Sequence, residues 1–237
     1  MFSFIRKESL CSSCVMRRSV DCHNHILPLI DDGVRTVNEA IDILNYYENE
    51  GVEHVIFTPH INKRFPDNSY DSIKDKFNEF VSVYEGGIKL GLAAEYMLDS
   101  DFEKHFLTKR ILTLFSDHIL LELPVTPPFN LINRIQDIVS AGYFVVLAHP
   151  ERYLYLDERR LQLLKDNNIR FQLNLFSLLG MYGKKVQNRA KAYLKNGLYD
   201  CFGSDLHSSE MIDNMAHKCL TNSMIKSLMM INKGIYN

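Results

Sequence analysis

The chain has 237 residues with 27 Lys+Arg against 29 Asp+Glu, a formal charge of -2, and is 46% hydrophobic and 24% charged. That is the balance of a globular protein long enough for one large core or two small ones. Near-neutrality excludes a nonspecific nucleic-acid binder, which needs surplus cations to displace counterions from phosphates. No apolar run approaches the roughly 18 residues of a membrane span. At the start, Arg6-Lys7-Glu8 falls where a secretory signal would carry its apolar stretch, so a cytoplasmic protein without stable membrane insertion is expected.

Residues 1–19 read as a polar, weakly patterned leader, a mobile arm ahead of a single domain at 20–237. From Val20 onward, strand runs are predicted at 20–23, 53–58, 88–95, 119–123, 144–148, 169–173 and 199–203. Helical periodicity fills the gaps at 37–50, 70–85, 101–108, 130–141, 158–166 and 184–196, with a tail from Met211. Thr36 and Glu39 fit a capping box, and Val37, Ala40, Ile41, Leu44 and Tyr47 then share one helix face. Gly51, Gly142 and Gly197 stand where helices are expected to end. Runs such as Phe144-Val-Val-Leu-Ala148 are apolar throughout, which suits parallel strands covered by helices. No Pro/Gly/Ser linker divides these seven strand–helix units, so the fold is α/β.

Five cysteines, Cys11, Cys14, Cys22, Cys201 and Cys219, are an odd and scattered set, unlike a disulfide framework. Cys11 and Cys14 form a CxxC with no second pair to complete a zinc knuckle. Cys11 also precedes Arg17 at the spacing of cysteine phosphatases. The segment between them has no glycine to turn backbone amides onto a phosphate, and no apolar strand leads into it.

The histidines and carboxylates fall at strand ends. His23 and His25 close the first strand and His60 the second. Glu95 closes the third, Glu122 lies near the end of the fourth, and His149 closes the fifth. Asp205 and His207 follow the seventh. An open sheet would spread these ends along a row; a closed barrel gathers them at one mouth, where barrel enzymes carry their chemistry. His23 and His25 are two apart, as are Asp205 and His207, so each pair faces one way from an extended strand. Either Asp31 or Asp32, on the loop turned at Gly33, would reach the same mouth. A lone histidine at a strand end is more often a surface residue, but five histidines and four carboxylates on one rim point to a polynuclear metal site. Glu122, between Leu121 and Leu123, needs a cation or strong donors, because an unpaired buried carboxylate is costly. His54, His105, His118 and His217 show no such pattern, and His54 and His118 begin strands at the opposite end.

Asp21-Cys-His-Asn-His25, Thr58-Pro-His60, Glu95, Glu122, His149-Pro-Glu-Arg152 and Ser204-Asp-Leu-His207 together resemble the PHP (polymerase and histidinol phosphatase) superfamily. Within it, His25-Ile-Leu-Pro-Leu-Ile-Asp-Asp-Gly33, Ala93-Ala-Glu-Tyr-Met97, Leu147-Ala-His-Pro-Glu-Arg-Tyr153 and Phe171-Gln-Leu-Asn-Leu175 resemble the bacterial manganese-dependent protein-tyrosine phosphatases of capsule and exopolysaccharide clusters. The similarity spans about residues 20–210. It implies a distorted seven-stranded (β/α) barrel of PHP type and three divalent metal ions, Mn foremost, with Fe or Zn also suited to nitrogen and oxygen ligands. One metal would take His23, His25, Glu95 and Asp205. A second would take Glu122 and His149 with Glu95 as a bridge, and a third Asp32, His60 and His207. A metal-bridging hydroxide would attack phosphorus, and Arg152 would grip the phosphate through its planar fork.

The implied activity is hydrolysis of protein phosphotyrosine in the control of capsule or exopolysaccharide synthesis. Its partner would be a tyrosine-phosphorylated protein, a bacterial tyrosine kinase of polysaccharide export; no nucleic acid is expected, and oligomerisation stays open. The competing readings are a small-molecule phosphomonoesterase, such as a histidinol-phosphate phosphatase, and a decayed metal-stabilised binding protein. For Arg152 the competing role is a surface ion pair with Asp157 or Glu158. Relatives carry a further arginine or basic cluster after the Asp-x-His motif, where this chain reads His207-Ser-Ser-Glu-Met-Ile212, so Lys63, Arg64 or Lys184 would have to substitute. Tyr96, Phe65, Tyr153 and Phe176 are candidates for an aromatic rim, against core packing. Because no cysteine has a role in this scheme, a Cys11→Ala, Cys14→Ala protein is expected to keep its metal content and turnover. Loss of turnover with the fold intact would restore a cysteine nucleophile.

Overall fold

Alternation along the strand runs builds the architecture, because each strand has two faces to bury. The computed structural model describes residues 7–10, 12–216 and 218–231. Its strands in chain order are β1 (Lys7–Ser9), β2 (Val20–Asp21), β3 (His54–Phe57), β4 (His60–Ile61), β5 (Lys89–Leu92), β6 (Glu95–Met97), β7 (His118–Glu122), β8 (Phe144–Ala148), β9 (Arg170–Asn174), β10 (Cys201–Gly203) and β11 (Cys219–Thr221). The helices are α1 (Val37–Asn49), α2 (Tyr70–Val81), α3 (Ser100–Leu107), α4 (Leu131–Ser140), α5 (Glu158–Asp166), α6 (Leu175–Leu179), α7 (Gly183–Lys195), α8 (Ser209–Ala216) and α9 (Asn222–Ile231), with a 3-10 turn at Pro150–Arg152 directly after β8.

The strands β4, β6, β7, β8, β9 and β10 pair in parallel in that order, and β2, β3 and β5 form a second parallel sheet. Single contacts join the two. Ala93 N donates to Phe57 O at 2.8 Å, and Glu95 N to Pro59 O at 3.1 Å. On the other side Asn24 and Leu206 form a parallel bridge, and Asp205 N donates to His23 O at 2.7 Å. The run expected at 88–95 is thus divided between β5 and β6, whereas that at 53–58 holds β3 alone, with β4 a separate strand beyond it; Pro59, lacking an N–H, cannot continue the ladder. The result is a curled six-stranded half-barrel with a three-stranded sheet, and no continuous seven-stranded ladder forms among the described residues.

Both sheets curl about one interior. Cys22, Ile56, Ala93, Leu120, Val146, Ala148 and Cys201 meet in a small buried cluster closed by Leu114. The alternate residues Val55, Phe57, Ile119, Leu121, Val145, Leu147, Phe171 and Phe202 belong instead to the larger core shared with the helices. Two dry faces explain why these runs are apolar at every position. In α1, Thr36 accepts from Glu39 N at 3.1 Å, as a cap should. The Glu39 carboxylate instead reaches across to Ser209 N at 3.0 Å, tying α8 to α1. The buried face of α1 is Ala40, Ile43, Leu44 and Tyr47, with Ile41 partly buried at its edge; Val37, expected on it, lies towards solvent.

Of the segment expected as a mobile arm, the described residues 7–10 and 12–19 pack against the domain. β1 runs antiparallel to β11, pairing Lys7 with Thr221 and Ser9 with Cys219. Leu10, Val15 and Met16 are buried, and Arg18 N donates to Gly51 O at 2.7 Å. The pairing joins the two ends of the chain, so no local periodicity announces it. Cys11 lies outside the described residues, and Cys14 is exposed. Leu10→Ala should therefore lower unfolding stability by about 2–5 kcal/mol in urea titration. A free arm would give a change within about 0.5 kcal/mol.

Candidate metal centre

The polar side chains expected at six strand ends meet at one point, although His60 and Glu95, expected to close strands, instead open β4 and β6. His23 Nε2 lies 3.4 Å from Glu95 Oε1 and 3.5 Å from Asp205 Oδ1. His25 Nε2 lies 3.5 Å from Glu95 Oε2 and 3.4 Å from Asp205 Oδ1. His60 sets Nδ1 3.0 Å from Glu95 Oε2 and Nε2 3.5 Å from Asp32 Oδ1. His149 Nε2 is 3.1 Å from Glu95 Oε1 and 4.0 Å from Glu122 Oε1, and His207 Nε2 is 3.7 Å from Asp32 Oδ1. Four groups have ligand-type atoms all within 4.8 Å of one another: His25, Asp32, His60 and His207; His23, His25 and Glu95; His23, His149 and Asp205; and His60, Glu95 and Glu122. Every residue singled out as a ligand belongs to at least one group. The groups differ from the expected sets in placing Glu122 with His60 and Glu95, and His149 with His23 and Asp205.

Apart from His149 Nε2 and Glu95 Oε1, which pair at 3.1 Å, most of these atoms face one another without hydrogen-bonding. His23 Nε2, His25 Nε2, His60 Nδ1, Asp32 Oδ1 and Glu95 Oε2 are buried and have no hydrogen-bond partner. Buried polar atoms are almost always satisfied, so five unsatisfied ones converging on one point form a donor set fitted to cations. The charges agree. Burial disfavours a charged His23, yet Glu95 and Asp205 outweigh it and push its pKa up to about 9. His25 is also raised well above its ordinary value: burial opposes protonation, and Asp31 and Asp205 overcome it. Burial and then the charge of Glu95 push Glu122 up to about 7. Burial and Arg152 lower His149 to about 4, so its ring stays neutral, with Nε2 on Glu95 Oε1 at 3.1 Å and Nδ1 on the Tyr153 hydroxyl at 3.2 Å.

Neighbouring side chains set the tautomers. Asp31 Oδ2 accepts from His25 Nδ1 at 2.7 Å and from His60 N at 3.0 Å. Gln172 Oε1 accepts from His23 Nδ1 at 2.6 Å, and the His207 Nδ1 donates to Asp205 O at 2.9 Å. With Nδ1 donating, the Nε2 of each ring is the atom turned inward, and it offers its lone pair once the ring is neutral. Asp31 and Asp32, which the sequence left as alternatives, thus take different tasks: Asp32 joins the ligand groups, and Asp31 holds two histidines. Gly33 allows this loop to fold close, because a Cβ there would lie 2.0 Å from His25 O; at Gly203 it would lie 2.3 Å from His23 Cβ. His149 and Asp205 themselves adopt left-handed backbone, φ 36 and 58, a strain typical of functional positions.

Several contributors escaped the sequence reading. Gln172 and Asn174 stand two apart on β9, the spacing that marked His23 and His25, and Asn174 Nδ2 donates to Asp205 Oδ2 at 2.6 Å. Glu151 is wholly buried; it accepts from Asn174 N at 3.1 Å and from the Tyr199 hydroxyl at 2.9 Å, fixing the 3-10 turn between His149 and Arg152. Of the candidate rim aromatics, Tyr96, Tyr153 and Phe176 are buried in the core, with the Tyr96 and Tyr153 hydroxyls accepting from Leu112 N and Leu123 N. Phe65 alone of the four stays half-exposed, stacked on the His60 ring at 5.7 Å. His54 and His118 open β3 and β7, away from the cluster.

Above the cluster opens a cleft of about 620 Å³ whose walls include Arg64, Arg152 and Tyr182. Arg152 Nη1 pairs with Asp205 Oδ2 at 3.0 Å, and its guanidinium lies over the Tyr182 ring at 4.6 Å. Asp157, the suggested surface partner, instead caps α5 and pairs with Arg160. Among the described residues no cysteine lines the cleft: Cys22 and Cys201 are buried in the interior, and Cys14 and Cys219 are exposed.

The chain is similar to a set of named proteins. CapC of Staphylococcus aureus is 29% identical over 198 residues, covering 80% of this chain and 77% of that one. The tyrosine-protein phosphatases YwqE of Bacillus subtilis and CpsB of Streptococcus pneumoniae are each 26% identical, over 196 and 201 residues, covering 80% of this chain and 77% and 83% of theirs. A crystal structure from the pair YwqE and CpsB, described as unique metal-dependent tyrosine phosphatases, superposes with a TM-score of 0.71 at 21% identity, covering 92% of this chain and 87% of that one. A phosphotriesterase homology protein of Escherichia coli, complexed with phosphate in its active site, superposes with a TM-score of 0.51 at 12% identity, covering 89% and 90%. These two likenesses concern the fold. The family described as capsular polysaccharide synthesis, CpsB/CapC, matches residues 19–229, from ahead of the first histidine of the cluster into the last helix. The chain belongs to that CpsB/CapC family.

Proposed function

We propose that this protein is a metal-dependent phosphomonoesterase acting on protein phosphotyrosine in capsule or exopolysaccharide synthesis. The observation that carries the reading is the convergence of five unsatisfied buried donor and acceptor atoms beneath a cleft that holds arginine. His23, His25, Asp32, His60, Glu95, Glu122, His149, Asp205 and His207 would hold the ions, three in number and divalent. Their nitrogen and oxygen donors suit Mn first, and Fe or Zn also. Bound there, such ions polarise phosphoryl oxygens and acidify water. The two sheets read together as a distorted seven-stranded barrel of PHP type, interrupted at Pro59 and Ala94.

Hydrolysis adds a water oxygen to phosphorus, breaks the bond from phosphorus to the tyrosyl oxygen, and releases tyrosine and inorganic phosphate. Arg152 supplies a guanidinium fork for the phosphoryl oxygens, held in plane by Tyr182 and aimed by Asp205. It neutralises charge that spreads over those oxygens in the transition state. The substrate would be a tyrosine-phosphorylated protein, a kinase of polysaccharide export, and the site of action the cytoplasm. No helix among the described residues is long and apolar enough to cross a membrane. Hydrolysis of a tyrosine phosphopeptide well above that of histidinol phosphate by the Mn-loaded protein supports the phosphotyrosine reading; the opposite ranking favours a small-molecule phosphatase.

Metal binding should release protons. His23 and His25, whose pKa values are raised, hold protons at neutral pH and must shed them to offer lone pairs. Affinity for Mn should accordingly rise with pH from about 6 towards about 9 and fall as the rings protonate. Calorimetry in two buffers of different ionisation enthalpy should show at least one proton released. Equal enthalpies in both buffers would count against ligation by these rings.

Arg152→Ala should lower kcat/KM for an aryl phosphate by roughly 10²–10³, the usual loss when a positioned donor to developing charge is removed. Arg152→Lys should recover part, since lysine restores charge without the bidentate fork. Metal content measured on the same preparations separates phosphate binding from support of Asp205. Unchanged kcat/KM in both variants would reject the clamp.

A further inference from the structure

The cleft has two arginines, and they are built alike. Arg152 holds Asp205 by its outer oxygen, Oδ2, at 3.0 Å, while Oδ1 of that carboxylate faces His25 at 3.4 Å and His23 at 3.5 Å. Arg64 holds Asp32 by its outer oxygen, Oδ2, at 2.9 Å, while Oδ1 faces His60 at 3.5 Å and His207 at 3.7 Å. Each guanidinium also lies over an aromatic ring, Arg152 over Tyr182 at 4.6 Å and Arg64 over Phe65 at 5.3 Å. His207 stands between the two aspartates, its Nε2 3.7 Å from Asp32 and its Nδ1 3.7 Å from Asp205, so the arginines flank the cluster from two sides.

The loop bearing Arg64 is ordered by its own side chains. Arg64 N donates to Asn62 Oδ1 at 2.8 Å, and Asn68 Nδ2 donates to His60 O at 2.8 Å and Ile30 O at 3.0 Å. Asn62 and Asn68 are both buried, and Phe65 stacks parallel to His60. Arg64 therefore stands on a fixed base, with its side chain 68% exposed at the mouth and Nη2 on Asp32. A guanidinium has five N–H donors, so most of its fork remains to receive an anion. The other two basic candidates are placed differently: Lys184 donates to Gln187, and Lys63 is not part of the cleft wall.

We propose that Arg64 is the second phosphate-binding cation of this protein, gripping a phosphoryl oxygen of the substrate opposite Arg152. The proposal rests on the phosphatase reading and assigns the residue that takes the place of the arginine absent after His207. That segment is committed elsewhere: His207 N donates to Met211 Sδ at 3.3 Å, and Ser209 binds Glu39. A phosphoryl dianion held from one side by Arg152 leaves oxygens on the other, and Arg64 is the cation the fold fixes there.

The test uses full-length, Mn-loaded wild-type, Arg64→Ala and Arg64→Lys proteins. It measures metal content, the Kd for inorganic phosphate by calorimetry, and kcat/KM for p-nitrophenyl phosphate and a phosphotyrosyl peptide. Arg64→Ala should leave metal content unchanged and weaken phosphate binding by about 10–100-fold, the range for one charge-assisted hydrogen bond. It should lower kcat/KM for both substrates by a similar factor, and Arg64→Lys should recover part. An unchanged phosphate Kd overturns the proposal. So does a loss of metal, which would make Arg64 only a holder of Asp32, and so does a loss confined to the peptide, which would make it a reader of flanking residues. Wild-type protein that binds phosphate but hydrolyses neither substrate would instead overturn the phosphatase reading, and the phosphate Kd would still decide the role of Arg64.

Discussion

Glu95 is wholly buried, and the imidazoles of His23, His25, His60 and His149 all face its two oxygens within 3.5 Å. An ionised carboxylate in a dry interior is among the most costly groups a fold can hold unless positive charge stands beside it. Asp205, also buried and placed after β10, repeats the problem. The mouth of the half-barrel is therefore designed around charge that must be matched. In the chain alone, protons on His23 and His25 match it; in the working protein, divalent cations would. Either way, the requirement dictates that strands from both sheets end at one rim with their polar residues pointing in.

That requirement explains the structure around the cluster. Apolar side chains fill the interior and the outer layer at alternate positions along each strand, so both faces of the sheet exclude water. Charges held in such surroundings interact strongly, and small errors of geometry are costly. Asp31, Gln172 and the Asp205 carbonyl accordingly fix ring orientation. Glu151, buried in the turn after β8, ties the peptide carrying His149 and Arg152 to β9 through Asn174. The backbone strain at His149 and Asp205 is held in place by these same contacts.

The aspartates of the mouth divide their two oxygens between two tasks. Inner oxygens of Asp32 and Asp205 face histidines, and outer oxygens face arginines. Such a carboxylate would couple a bound cation to the arginines proposed to meet the substrate. Asp31 and Asp32 are adjacent in sequence yet opposite in role, because the turn at Gly33 sends one side chain beneath His25 and His60 and the other to the mouth.

The sequence by itself determined what depends on near neighbours. Period-two spacing placed His23 with His25 and Asp205 with His207; apolar runs located the strands; Thr36 located the start of α1. The order of strands, with a polar residue at so many C-terminal ends, was enough to predict one rim. Tertiary structure alone decided what depends on approach between distant segments. It paired β1 with β11, separated β3 from β4 and β5 from β6 near Pro59 and Ala94, and set Asp31 against His25 and His60. It also buried Tyr96, Tyr153 and Phe176 in the core, and set Arg152 on Asp205 and Arg64 on Asp32. The physical reason is range. Periodicity is fixed by residues a few positions apart, whereas the curl of the sheet sets which loops meet over the mouth, and a single sequence carries no repeating signal of that curl.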